Sequence, residues 1–127
     1  MKRLFSLIIT LLVIGTAFSQ VKLGDERTDV YLPLLKGKRV ALFSNHTGLA
    51  GNKHVLDVLL ENGVKVTAIF SPEHGFRGTA DAGEHVSSSV DPVTGVPILS
   101  LYDGGKKGPS DEFMGKFDVL VVDIQDV

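Results

Sequence analysis

A chain of 127 residues supplies one modest domain, and a hydrophobic fraction of 43% places it with globular rather than disordered sequences. Its formal net charge of -2, with no basic block or aromatic-basic interleaving beyond the first residues, argues against a nucleic-acid partner. The absence of cysteine excludes a disulfide framework, a thiolate metal cluster and a cysteine nucleophile.

The chain opens on Lys2 and Arg3 and continues through an apolar run from Leu4 to Phe18. Ala17-Phe18-Ser19 then puts small residues at the -3 and -1 positions of a cut before Gln20, the pattern of a secretory signal over residues 1–19. The run is short for a span of about 20 residues. Cleavage and export to the periplasm or the exterior are therefore expected, with no membrane attachment afterwards. No cysteine follows the run, so a lipid anchor is not open to it. Residues 20–37 read as a lead-in: a polar Gly24-Asp25-Glu26-Arg27, then Val30 to Leu35 as a short helical turn or packed arm.

From residue 38 the pattern becomes that of a domain. Val40-Ala41-Leu42-Phe43-Ser44 is a compact, non-alternating apolar run, read as a strand covered on both faces. Asn45-His46-Thr47-Gly48 follows at its carboxyl end, and Leu49 to Gly51 completes the loop. Asn52 is expected to cap a helix whose apolar side is Val55, Leu56, Val58, Leu59 and Leu60. Gly63 stands where a left-handed C-cap belongs, and Val64 to Phe70 begins at once as a second strand. Strand, helix and strand make a βαβ unit with parallel strands and a right-handed crossover.

Ser87 to Pro92 and Thr94 to Pro97 look like turns, Ile98 to Tyr102 a short strand, and Asp103 to Pro109 a glycine-rich loop. Ser110 is placed to cap a short helix from Asp111 to Met114, and Asp118 to Ile124 reads as a last, buried strand. That strand has no covering helix after it, and residues 71–97 are long for a loop without structure of its own. Both features predict a fragment of a longer protein.

The chemistry concentrates in Ser71-Pro72-Glu73-His74-Gly75-Phe76-Arg77-Gly78. Pro72 ends the strand pattern, and the two glycines permit backbone angles that shape a loop. A carboxylate, an imidazole and a guanidinium thus sit at the carboxyl end of a strand, where open α/β sheets bind ligands. Asn45-His46, Tyr102-Asp103 and Asp123-Gln125-Asp126 occupy the corresponding ends of other strands. Glu73 is the first choice for a general acid, with a carboxyl pKa raised by apolar walls. His74 or His46 would orient it, move a proton or bind substrate. Asp123 or Asp126 would supply the second carboxylate that glycosidases commonly place about 5 to 9.5 Å away. Arg77 is offered, from charge alone, for a bidentate pair with a substrate carboxylate, with an ion pair inside the loop as the bland alternative. His46, His74, His85 and Asp123 are suitable metal ligands but lack a short metal-binding spacing. The loop 44–48 is not a GxGxxG turn, so no dinucleotide cofactor is expected, and no GxSxG elbow is present.

In Ser44-Asn45-His46-Thr47-Gly48, Ser71 to Gly78 and Asp123-Ile124-Gln125-Asp126-Val127, the chain resembles the DUF1343 family, which includes the exo-β-N-acetylmuramidases called NamZ. Asp81 to Glu84, Ser89 to Pro97 and Leu101-Tyr102 match the same pattern, so the resemblance runs from about Lys38 to Val127. It implies an α/β fold, a Rossmann-like parallel sheet with helices on both faces. This would be the N-terminal part only of a larger two-domain protein, with a cleft against a C-terminal domain. The implied activity is removal of N-acetylmuramic acid from the non-reducing ends of peptidoglycan or muropeptide glycan, without a cofactor. It implies Glu73 as the catalytic glutamate, and His74, Asn45, His46, Asp123, Gln125 and Asp126 as cleft lining. Read together with the residue chemistry, Glu73, His74, Asp123 and Asp126 are the catalytic candidates; Asn45, His46, Arg77 and Gln125 are the substrate-binding ones. Ser44 stands where many members have threonine, which keeps the hydroxyl. The alternatives are a non-catalytic wall-glycan binding module and a metal-dependent hydrolase.

Overall fold

The computed structural model describes residues 21–72, 76–77, 89–101 and 108–124. The signal pattern and the side chains of Glu73, His74, His85, Gln125 and Asp126 lie outside the described residues. A first helix, α1 (Thr28–Leu35), resolves the choice between a helical turn and an arm. The strands β1 (Arg39–Ser44) and β4 (Lys65–Ser71) flank the helix α2 (Val55–Glu61) as expected. Between β1 and α2 the chain makes a tight hairpin, β2 (Leu49–Ala50) and β3 (Lys53–His54), where the sequence predicted loop to Gly51 and a helix starting at an Asn52 cap. Then come β5 (Ser89–Val90), β6 (Pro97–Ser100), α3 (Asp111–Met114) and β7 (Val119–Asp123).

The main sheet has the order β5-β6-β4-β1-β7. The pairs β1–β4, β1–β7 and β4–β6 are parallel. Only β5 runs antiparallel, against β6, so the sheet is mixed at one edge rather than wholly parallel. Residues 89–90 were expected as turn. Two residues carry no periodicity, and only the ladder from Ser89 to Ile98 and Val90 to Pro97 makes them a strand.

Continuous burial explains why β1 lacks alternation: Val40, Ala41 and Leu42 are fully buried. One face of the sheet packs Val40, Leu42 and Ile69 against Leu35 of α1 and Val55, Leu56 and Leu59 of α2. The other packs Ala41, Ala68, Phe70 and Leu99 against Phe113 of α3 and Phe117. Helices thus lie on both faces. Each fully buried Leu or Ile contributes about 1.5–3 kcal/mol of apolar burial. The helix α2 ends in the expected left-handed glycine. Gly63 has φ +74°, its N–H donates to Leu60, and the Val64 N–H donates to Leu59.

Among the described residues the strand β7 lies at the edge of the sheet. Leu120 and Val122 are exposed on one face, while Val119 and Val121 pack on the α1–α2 cluster from the other. Its start is tied to β1 by Asp118. That carboxylate accepts the Arg39 N–H at 2.8 Å and the Arg39 Nη2 at 2.7 Å, and the guanidinium holds it down to about 2. The helix α3 has the predicted bounds, but the Ser110 side chain makes no capping bond; the Ser110 carbonyl accepts from Phe113 and Met114 instead.

Candidate functional site

The chain runs from β1 outward to β4 and β6, then returns to the other side of β1 as β7. In doubly wound sheets a reversal of this kind marks the ligand crevice, here at the carboxyl ends of β1 and β7. Ser44 and Asp123, the last residues of the two strands, stand opposite each other in register.

The loop leaving β1 is rigid by its own chemistry. Asn45 Oδ1 accepts the Thr47 N–H at 2.9 Å and the Thr47 hydroxyl at 2.6 Å, an Asx turn. The Asn45 carbonyl accepts the Gly48 N–H at 3.2 Å, the Ser44 hydroxyl at 3.2 Å and His54 Nε2 at 2.8 Å. Gly48 is required by space rather than by φ. A Cβ there would collide with Ser44 Oγ and lie 3.2 Å from both the Asp123 carbonyl and Asp123 Oδ2. His46 is exposed on the turn.

His54 caps α2 in place of the expected Asn52: its Nδ1 accepts the Leu56 N–H at 3.1 Å. An acceptor Nδ1 places the proton on Nε2, which donates to Asn45. The ring is 7% exposed and meets the Phe76 ring edge-on at 4.8 Å.

Asp123 is half-buried. Its Oδ2 is buried with no hydrogen-bond partner among the described residues, and the same is true of Asp25 Oδ1. Burial pushes the Asp123 carboxyl up, the charge of Asp25 adds to this, and His54 opposes it. The Tyr31 hydroxyl donates to the Asp25 carbonyl at 2.9 Å. Its pKa is raised by burial and then by the charges of Asp25 and Asp123. Asp25, Tyr31, Leu34, Val121 and Asp123 line one groove of about 520 Å³ between the lead-in, α1 and β7.

Arg77 is used internally. Its Nε donates to Asp91 Oδ1 at 3.0 Å and its Nη2 to Asp91 Oδ2 at 2.9 Å. The bidentate edge offered to a substrate carboxylate is thus closed on a fully buried partner. Arg77 also lies 5.0 Å from the centroid of the Phe76 ring. Asp91 further accepts the N–H and hydroxyl of Thr94. Burial pushes Asp91 up, but Arg77 and Thr94 outweigh it and leave the carboxyl below its usual range.

The structure therefore brings Asn45 and Asp123 to one edge of the sheet, at the ends of β1 and β7, and sets Arg77 in a structural pair. Asp25, Tyr31 and His54 were missed. Two of them sit in a lead-in whose contacts with β7 leave no local trace, and histidine is not among the favoured cap residues. Among the described residues no three side chains of metal-ligating type come together.

A family profile described as "Exo-beta-N-acetylmuramidase NamZ, N-terminal" matches residues 40–127. The chain belongs to the NamZ family. It is 48% identical over 99 residues to the peptidoglycan beta-N-acetylmuramidase NamZ of Bacillus subtilis (strain 168), covering 76% of this chain and 24% of that protein. Two crystal structures of DUF1343 family proteins from Bacteroides fragilis NCTC 9343 share the fold. One is 57% identical with a TM-score of 0.69, covering 86% of this chain and 27% of that one. The other is 36% identical with a TM-score of 0.66, covering 79% and 24%. The NamZ-family chain thus spans about a quarter of the length of these relatives.

Proposed function

We propose that the protein to which this chain belongs is an exo-acting glycoside hydrolase that removes N-acetylmuramic acid from the non-reducing ends of peptidoglycan fragments. The observation that carries this reading is the 48% identity over 99 residues to a peptidoglycan β-N-acetylmuramidase, beside a family match over residues 40–127 that takes in β1 and β7. Glu73 protonates the glycosidic oxygen, with His74 beside it in sequence. Asp123 is a candidate for the second carboxylate: burial raises its pKa, which makes its ionised form a stronger base, and among the described residues its Oδ2 has no hydrogen-bond partner. The substrate's own acetamido group is the other source of that second group. By the family resemblance, Asp126, Gln125 and His46 are assigned to substrate contact. A glycan contact from Asn45 would use its amide nitrogen, since Oδ1 serves Thr47. The opposite wall comes from a further C-terminal domain. Residues 1–19 are removed on export, and the work is done outside the cytoplasm on wall glycan.

The test is release of a chromogenic group from an N-acetylmuramic acid glycoside by the full-length protein recovered from the exported fraction. The N-acetylglucosamine analogue and a Glu73→Gln variant run beside it. Muramic-selective release that falls by about 10²-fold or more in the variant is expected, the scale of losing a general acid. N-terminal sequencing of the same material should begin at Gln20. Absence of release on either sugar from folded protein would replace the enzyme by a wall-glycan binding module.

A further inference from the structure

The geometry points to His54 as the positioning residue of the crevice: its ring holds the Asn45 loop, the start of α2 and Phe76 in one fixed arrangement beside Asp123. This deepens, and rests on, the glycosidase reading above.

Both ring nitrogens are committed in different directions. Nδ1 accepts from the Leu56 N–H at the first turn of α2, and Nε2 donates to the Asn45 carbonyl across the loop. The ring edge packs on Phe76, which is 2% exposed. Phe76 stands three residues after Glu73 in the chain, and the neighbouring Arg77 is locked to Asp91. A single buried side chain therefore connects the loop after β1 to the segment after β4. The Asn45 carbonyl is the shared acceptor that closes the turn onto Gly48, where there is so little room that an added Cβ would lie 3.2 Å from Asp123 Oδ2. Displacing the carbonyl moves the backbone that abuts the candidate carboxylate. An ångström-scale misplacement of a reacting group costs up to about 10²-fold in rate.

The two bonds can be separated by substitution in the full-length protein. Asn at position 54 keeps a cap acceptor for Leu56 but is too short to reach Asn45. Gln carries an amide N–H to about the position of Nε2 but gives up the cap. His54→Asn is expected to keep the melting temperature within a few degrees while kcat on the muramic glycoside falls by about tenfold or more, with KM changing less than about threefold. His54→Gln is expected to lose melting temperature while retaining most of kcat at a temperature where it is folded. A purely structural histidine predicts the opposite: kcat per folded molecule stays within about twofold of the parent in both variants. That result overturns the proposal.

Hydrogen exchange gives a readout free of catalysis. In His54→Asn the amides of Thr47, Gly48 and Leu49 should exchange about tenfold faster, while those of Leu59 and Leu60 in α2 stay unchanged. If the parent releases no sugar, the glycosidase reading fails and exchange alone decides the positioning role. Unchanged exchange at 47–49 overturns it.

Discussion

At the scale of single residues, the crevice is marked by a carboxylate whose surroundings disfavour its charge. Asp123 Oδ2 is buried without a partner among the described residues, and Asp25 adds negative potential to it. The folded state therefore raises the pKa above its unfolded value near 3.8. A carboxyl of this kind stabilises the fold relative to its charged form below the unfolded pKa, and that contribution is lost as pH rises through the folded value. Asp123→Asn removes the cost at neutral pH. The substitution should stabilise the protein at pH 7 by roughly 0.5–2 kcal/mol, the usual gain from relieving an unfavourable charge. The gain should shrink as pH falls toward the unfolded value near 3.8 and vanish well below it, where the aspartic acid is neutral in both states. Thermal melts of parent and variant between pH 4 and 8 check the sign. A variant that is less stable at pH 7 would mean that Asp123 is held by favourable bonds instead. Activity is expected to fall in the same variant, which is the signature of a residue retained at the expense of stability.

At the scale of elements, the β5–β6 turn is clasped to the segment after β4 by a buried ion pair. Asp91 is fully buried and accepts from Arg77 and Thr94. Arg77→Ala leaves that carboxylate buried with only the Thr94 bonds, and is expected to cost about 3–5 kcal/mol, the penalty of stranding one member of a buried pair. Adding Asp91→Asn should recover part of the loss, because the amide still accepts from Thr94 and carries no charge. Because the folded pKa of Asp91 is depressed, its contribution is present above the unfolded pKa and is lost as pH falls through the folded value. The difference between parent and Arg77→Ala should therefore shrink below about pH 4. Urea unfolding at pH 7 and pH 3 measures both. This clasp also shows which parts of the fold were readable. Val40 to Phe43 and Val64 to Phe70 announce their strands by unbroken apolar runs, and Gly63 announces the end of α2 by needing positive φ. Those signals are local. The pairing of Arg77 with Asp91, the docking of Asp25 and Tyr31 beside β7, and the use of His54 as a cap depend on contacts made only after the sheet forms. A guanidinium flanked by glycines reads equally well as a ligand clamp or as a loop tie. Only the location of a buried aspartate fourteen residues away decides between them.

At the scale of the whole molecule, the order β6-β4-β1-β7 places the crevice next to the outermost strand, so the site and the open edge of the sheet are neighbours. Among the described residues no strand pairs with the outer side of β7, and Leu120 and Val122 are 44% and 59% exposed. Exposed apolar edge strands are templates for association, and charged side chains on the edge suppress it. The 127-residue chain prepared alone is therefore expected to self-associate, and Leu120→Lys with Val122→Lys to reduce that association. The relatives carry roughly three times as much chain again beyond the matched segment. If that additional chain covers β7 in the full-length protein, the same two lysines must be buried there, and each charge placed in an apolar interface without a partner destabilises it. The double variant should then raise the solubility of the isolated chain while lowering the melting temperature of the full-length protein. Light scattering on the first and calorimetry on the second make the comparison. A full-length protein indifferent to both lysines would mean that β7 stays open to solvent, and that the wall opposite Asp123 is built without contact to this face.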